Sequence, residues 1–156
     1  ACAYTPLAII DAAGCAPYRL LPTGDWPDQA GRLLHDNICP TVKRLIDRAL
    51  SNDLPDMAGV VFINSCDAMR RMADAWRQIR KNENIILLDL PATSDDAASL
   101  YFQTELDRLI NALEQWTDTK ISLSAIASGI KKINKILTEN KKNGLIFKNH
   151  FLIVRP

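Results

Sequence analysis

The chain has 156 residues, which predicts one domain with at most a small appendage. It is 47% hydrophobic and 24% charged with a net charge of +1, as in ordinary globular proteins, so its overall charge does not indicate binding to nucleic acid or to a membrane. No apolar run is long enough to cross a bilayer, and the first residues lack the pattern of a signal peptide. We therefore expect a cytoplasmic protein with no membrane and no nucleic-acid partner.

The first half of the chain predicts two helices and one strand. Thr5 as N-cap and Pro6 as first residue indicate a helix that Gly14 ends. The apolar segment from Ala16 to Leu21 predicts the first strand. A loop follows, and Pro40 begins a helix to about residue 51 with one apolar face.

The second half of the chain alternates apolar runs with amphipathic segments. Two strands, Gly59 to Asn64 and Ile85 to Leu90, consist almost entirely of apolar residues, which is typical of strands buried on both faces. One helix is predicted over residues 67–80, with Asp67 as its cap, and a second over residues 96–116. Another helix, capped by Ser122 or Ser124, follows to about residue 137, and residues 145–154 predict a terminal strand or an apolar tail.

This order of elements predicts an α/β protein with a Rossmann-like, three-layer fold: a mainly parallel sheet with helices on both faces. Ligands of such sheets bind beyond the carboxyl ends of the strands. The sequence contains neither a Gly-x-Gly-x-x-Gly segment nor a Gly-Lys-Ser/Thr phosphate loop.

The last part of the chain differs in charge from the rest. Residues 129–156 contain seven lysines and arginines and one glutamate, a net charge of +6, which leaves −5 on residues 1–128. We therefore predict a body over residues 1–120 and a divergent helix and basic tail over residues 121–156.

Three of the four cysteines precede predicted helices. Cys2 lies shortly before the first helix, Cys39 directly before Pro40, and Cys66 between a strand and the helix that follows it. A helix N-terminus lowers a thiol pKa and can donate hydrogen bonds to the sulfurs of a cluster. Cys15, in contrast, follows the end of a helix.

Three cysteines without a histidine are too few for a closed structural zinc site. They suit an iron–sulfur cluster in which one iron stays open. The alternative, which the spacing alone leaves open, is that Cys39 and Cys66 are ordinary buried small residues.

Several segments resemble the 2-hydroxyacyl-CoA dehydratase family, which includes the D-component of 2-hydroxyglutaryl-CoA dehydratase and the subunits of benzoyl-CoA reductase. The resemblance covers about residues 2–120, and its most specific part is Asn64-Ser65-Cys66-Asp67 between a strand and a helix. The other matching segments are Cys2-Ala3-Tyr4-Thr5-Pro6, Pro17-Tyr18-Arg19-Leu20, Cys39-Pro40-Thr41-Val42, Arg70-Arg71 with Trp76, and Leu88-Asp89-Leu90-Pro91.

The resemblance implies a subunit that binds a 4Fe–4S cluster through Cys2, Cys39 and Cys66. Family dehydratases are heterodimers of two related subunits, and a separate ATP-hydrolysing iron–sulfur activator supplies one electron. The acyl-CoA substrate becomes a ketyl radical, loses its 2-hydroxyl group and a β-proton, and returns the electron, which gives a 2-enoyl-CoA. Cys15 falls outside the ligand set and is expected in the core.

Two departures from the family affect this interpretation. Leu7-Ala8 stand where active members commonly carry two glutamates. Family chains are much longer, and we expect this sequence to lack their further α/β domain. We therefore expect a truncated or fragmentary chain that is inactive alone and whose cluster is oxygen-labile. A benzoyl-CoA reductase-like, ATP-dependent reductase subunit and a non-catalytic α/β remnant without a cluster remain alternatives.

Other conspicuous residues have structural explanations. Trp76 and Trp116 are expected to pack in the core, whereas the loop residue Trp26 allows no such expectation. His35 is expected at the surface. Arg70 and Arg71 are expected on a solvated helix face, although in a CoA-binding protein they could contact a phosphate.

Overall fold

A computed structural model describes residues 4–23, 28–142 and 152–155, the last four and residues 140–142 by their backbone alone. Trp26, Cys2 and His150 lie outside these ranges. A short 3-10 helix, Ala30–Arg32, lies ahead of the helix that begins at Pro40. The elements are α1 (Leu7–Ala12), β1 (Ala16–Tyr18), α2 (Pro40–Leu50), β2 (Gly59–Ile63), α3 (Asp67–Ile79), β3 (Ile85–Leu88), α4 (Asp96–Thr117), α5 (Leu123–Lys142) and β4 (Leu152–Arg155).

The four described strands form one sheet in the order β1-β4-β2-β3. β2 and β3 are parallel, and β4 is antiparallel to both β1 and β2, so β1 runs in the same direction as β2 and β3. The predicted α/β class and the common direction of the three predicted strands are confirmed. The position of β4 between β1 and β2 was not predicted, and the predicted segment 145–151 lies outside the described residues.

The core lies around β2, in which every residue is buried. Phe62 of β2 meets Trp76 of α3 edge to face, with ring centroids 5.8 Å apart, and Trp76 is completely buried. Trp116 of α4 is partly buried against the same core. The continuous apolar run of β2 therefore indicated correctly that both of its faces are covered. The same expectation is confirmed only in part for β3, an edge strand of the described sheet in which Ile86 and Leu88 are buried but Ile85 and Leu87 are partly exposed.

The ends of the helices follow local chemistry. Gly14 has a φ of 74°, and the N–H groups of Gly14 and Cys15 donate to the carbonyl oxygens of Asp11 and Ile10, as in a Schellman motif. Ser122 Oγ accepts the N–H of Ala125 at 3.1 Å, so Ser122 caps α5. The N-cap of α1 is Pro6 rather than Thr5, because the carbonyl oxygen of Pro6 accepts the N–H of Ile10 in the first helical hydrogen bond. Thr5 is buried.

The helix α5, which the sequence placed in the tail, packs against α1. Gly129 permits this contact, because a Cβ there would lie only 2.6 Å from the carbonyl oxygen of Ala8. Lys132 of α5 also forms an ion pair with Asp11 of α1. None of the described helices is both long and apolar enough to span a membrane.

Two buried charged residues of α2 hold the segment that leads to it. The Asp47 carboxylate accepts the N–H groups of Gln29 and Ala30 at 2.9 and 2.8 Å. Arg48 donates to the carbonyl oxygen of Leu21 at 2.7 Å. Both side chains are at least nine-tenths buried, so the path of the chain ahead of α2 is fixed by charge-assisted hydrogen bonds.

Candidate functional site

Cys39 is the N-cap of α2, and its thiol is free and exposed. Pro40 follows as the first helical residue, where its missing N–H costs nothing. Partial burial raises the pKa of the Cys39 thiol, but the N–H groups of Thr41 and Val42 and the Thr41 side chain lower it by more. Because the thiol is free and exposed, another partner can reach it.

Cys66 is the N-cap of α3, and its thiol is also free and exposed. The sequence assigned this cap to Asp67, which is instead the first residue of the helix. Three residues lead from the end of β2 to α3, so Cys66 stands at the carboxyl end of a central strand. This is the edge of the sheet at which α/β proteins bind their ligands.

Residues adjacent in sequence to the two exposed cysteines line one surface groove. Its lining includes Ile38, directly before Cys39, and Asp67, directly after Cys66, and its volume is about 600 Å³. The helices α2 and α3, which begin directly after these cysteines, pack against each other. The fold therefore brings two segments that are far apart in sequence to the same part of the surface.

The remaining cysteines differ from this pair. Cys15 is buried, as expected, and burial raises the pKa of its thiol. Cys2 lies outside the described residues, so the predicted convergence of Cys2, Cys39 and Cys66 stays a prediction. Within the described ranges, no three Cys, His, Asp or Glu side chains are grouped so that they could hold a metal ion.

A polar network that the sequence did not reveal joins the ends of β2 and β3. Asn64 Nδ2 donates to Asp89 Oδ1 at 2.5 Å, and the Tyr101 hydroxyl donates to Asp89 Oδ2 at 3.3 Å. The N–H of Asp89 donates to Glu105 Oε2 at 2.9 Å. The only available signal was the spacing of Tyr101, Glu105 and Arg108, which places three polar residues on one face of α4.

Glu105 is the buried member of this network, with 8% of its surface exposed. Hydrogen bonds from Arg108 hold the pKa of the Glu105 carboxyl below its usual value, against the opposing effect of burial. Desolvation and the carboxylate of Asp89 raise the pKa of Tyr101. Arg108 also donates to the carbonyl oxygen of Leu87, so α4 is bound directly to β3.

Other residues singled out in the sequence lie at the surface. His35 is exposed, as expected, and its Nδ1 lies 2.9 Å from Asn37 Oδ1 at the edge of the groove. Arg70 and Arg71 are exposed on α3. Arg71 forms an ion pair along the helix with Asp67, with 3.6 Å between Arg71 Nε and Asp67 Oδ1. The expected solvated face is confirmed.

Comparison with known proteins defines the class. Residues 2–146 match the family described as 2-hydroxyglutaryl-CoA dehydratase, D-component, and the chain belongs to this family. The match extends past Lys120, where the resemblance noted in the sequence ended, and includes α5. The predicted domain boundary after residue 120 stays a prediction.

Two curated relatives support the same class. The chain is 28% identical over 142 residues to one of the subunits of benzoyl-CoA reductase from Thauera aromatica, and the alignment covers 89% of this chain and 36% of the relative. It is 21% identical over 129 residues to the (R)-phenyllactyl-CoA dehydratase beta subunit from Clostridium sporogenes, and this alignment covers 82% of this chain and 34% of the relative. The chain thus spans about a third of the length of these relatives. Both relatives are subunits, one of a benzoyl-CoA reductase and one of an (R)-phenyllactyl-CoA dehydratase.

Proposed function

We propose that this chain is the cluster-binding part of an iron–sulfur subunit of a 2-hydroxyacyl-CoA dehydratase-like lyase, with Cys2, Cys39 and Cys66 as ligands of a 4Fe–4S cluster. The observation that carries the proposal is the contrast among the described cysteines. Cys39 and Cys66 are exposed at the N-caps of two packed helices, and a neighbour of each lines one groove, whereas Cys15 is buried. The chain belongs to the family whose resemblance, in the segments around Cys39 and Cys66, implies these two residues as ligands.

The donor set suits such a cluster. Thiolates are the usual ligands of iron–sulfur clusters, and the Cys39 pKa is already lowered by neighbouring N–H groups. A bound cluster would supply one electron and an open iron that acts as a Lewis acid. The protein contributes the position of the ligands and hydrogen-bond donors at two helix N-termini.

The overall reaction would convert an (R)-2-hydroxyacyl-CoA into a 2-enoyl-CoA and water. One electron enters the substrate, the 2-hydroxyl group and a β-proton leave, and the same electron returns, so the reaction has no net redox change. We further propose a related second subunit, an ATP-dependent iron–sulfur activator and an acyl-CoA substrate as the partners of this chain.

A reductase function is the second candidate, because the relative with the higher identity is a benzoyl-CoA reductase subunit. In that case electrons would remain in the product, and an unsaturated acyl-CoA would be reduced. An assay of the assembled enzyme with both substrate classes separates the two functions. Water loss without net electron consumption supports the lyase, and stoichiometric electron consumption supports the reductase.

The cluster proposal is tested by anaerobic reconstitution of the purified protein, followed by iron and sulfide analysis. We expect about four iron and four sulfide per chain. Cys39→Ser and Cys66→Ser should each abolish retention while the circular dichroism spectrum stays unchanged, because neither thiol packs in the core.

Cys15→Ala is the matched control, since it removes a thiol that is buried away from the surface. It should retain the iron content of the original protein. A protein that binds no iron, or serine variants that keep it, would contradict the proposal and favour a non-catalytic remnant.

A further inference from the structure

We propose that Asp89 is a positioning residue for Cys66: it fixes, through Asn64, the turn that presents this thiol at the start of α3. The inference rests on the proposed function for the role of the thiol, but not for the geometry of the turn. It adds a residue from a different strand to the candidate site.

The turn that carries Cys66 is short and tightly bonded. The N–H of Ser65 donates to the carbonyl oxygen of Ile63 at 2.8 Å, which closes a three-residue turn centred on Asn64. The N–H of Asn64 donates to the carbonyl oxygen of Leu88 at 2.8 Å. Cys66 follows directly as the N-cap, and its carbonyl oxygen accepts the N–H of Met69 at 3.1 Å. Any rotation of the turn at Asn64 therefore displaces the Cys66 thiol.

Asp89 holds the centre of this turn from the neighbouring strand. Ile63 pairs with Leu88 in the parallel register, so Asn64 and Asp89 are the next pair beyond the ladder. There the Asp89 carboxylate accepts the side-chain amide of Asn64 at 2.5 Å. This charge-assisted hydrogen bond between side chains therefore links β2 to β3 just beyond their last paired residues.

The position of Asp89 is itself fixed by α4. Its N–H donates to Glu105, and its second carboxylate oxygen accepts the hydroxyl of Tyr101. Glu105 is buried and held by Arg108, so it cannot rotate freely. The contacts thus lead from a rigid helix through Asp89 to Asn64, and from Asn64 along two peptide bonds to Cys66.

Hydrogen exchange in the cluster-free protein tests the geometry directly. Asn64→Asp places two carboxylates against each other, so exchange at the amides of residues 64 and 65 should accelerate about tenfold. The double variant Asn64→Asp with Asp89→Asn again has one donor and one acceptor at these positions. Its exchange rates should return to within about twofold of those of the original protein.

Two further variants keep the test decisive. Asn64→Ala removes the donor without adding charge, and it should accelerate the same amides about threefold even if Asn64→Asp does not fold. Asp107→Asn, an exposed position on α4, is the matched control and should change nothing. Two results would overturn the inference. One is an exchange rate in Asn64→Ala equal to that of the original protein; the other, where Asn64→Asp folds, is an exchange rate in the double variant that stays as fast as in Asn64→Asp.

The reconstituted protein separates this inference from the cluster proposal. We expect the half-life of bound iron to fall about tenfold in Asn64→Asp and to recover in the double variant. If exchange follows the expected pattern but the original protein binds no iron, Asp89 still positions the turn and the cluster proposal fails. If iron binds but the exchange rates do not respond, the role of Asp89 is wrong.

Discussion

The indole ring of Trp116, near the end of α4, lies directly against the backbone of Gly59 at the start of β2. A Cβ on residue 59 would lie 2.6 Å from both Cε3 and Cζ3 of the ring and 2.9 Å from the carbonyl oxygen of Asn84. The absence of a side chain at residue 59 therefore lets the last turn of α4 cover the entry to the central strand.

Gly59→Ala should lower the free energy of unfolding by about 2 kcal/mol, because the ring and a backbone oxygen would both have to move. Urea denaturation measures the change. Gly31→Ala is the control, since the nearest atom to its added Cβ is 4.0 Å away. Equal stabilities of the two variants would show that Trp116 moves aside at little cost.

Gly129→Ala should loosen the contact between α5 and α1. The added Cβ would meet the carbonyl oxygen of Ala8, which is backbone and cannot rotate away. We expect a loss of about 2 kcal/mol and faster amide exchange in α1 and α5, with little change in β2. Uniform loss of protection over the whole protein would contradict a local contact.

Cys39 should react with iodoacetamide at least about tenfold faster than Cys15 at neutral pH in the cluster-free protein. The Cys39 pKa is lowered and its thiol is exposed, whereas burial raises the Cys15 pKa and blocks access. Peptide mass spectrometry over time measures both rates. Faster alkylation at Cys15 would show that the N-terminal part of the fold opens readily.

Glu105→Gln should destabilise the protein by about 2 kcal/mol at pH 7, because it removes the charged partner of Arg108 from a buried position. The folded-state pKa of Glu105 is depressed, so its contribution is complete above the ordinary glutamate value of about 4.3 and is lost as the pH falls through the depressed value. The difference between the two proteins should therefore shrink below about pH 4. Glu139→Gln, which removes a carboxylate at an exposed position, is the control and should change the free energy of unfolding at pH 7 much less than Glu105→Gln does.

Much of the fold is determined by local patterns in the sequence. The apolar runs of β2 and β3 and the stripes of α2, α3 and α4 predicted those elements to within two residues at each end, because periodicity reflects burial directly. The same patterns placed Cys39 and Cys66 at helix N-termini. The position of Cys66 could be predicted from the order of the elements alone, because a strand is followed by a short connection and then by a helix.

The tertiary structure decided the features that depend on distant pairing. The position of β4 between β1 and β2 pairs it with segments roughly 140 and roughly 90 residues earlier in the chain, and short-range periodicity carries no information on such pairing. The burial of Glu105 has the same origin: a glutamate on a helix predicts a solvated position, and only the arrangement of Arg108 and the end of β3 around it makes burial favourable. The contact of Asp89 with Asn64 also exists only because the parallel register aligns the ends of two strands.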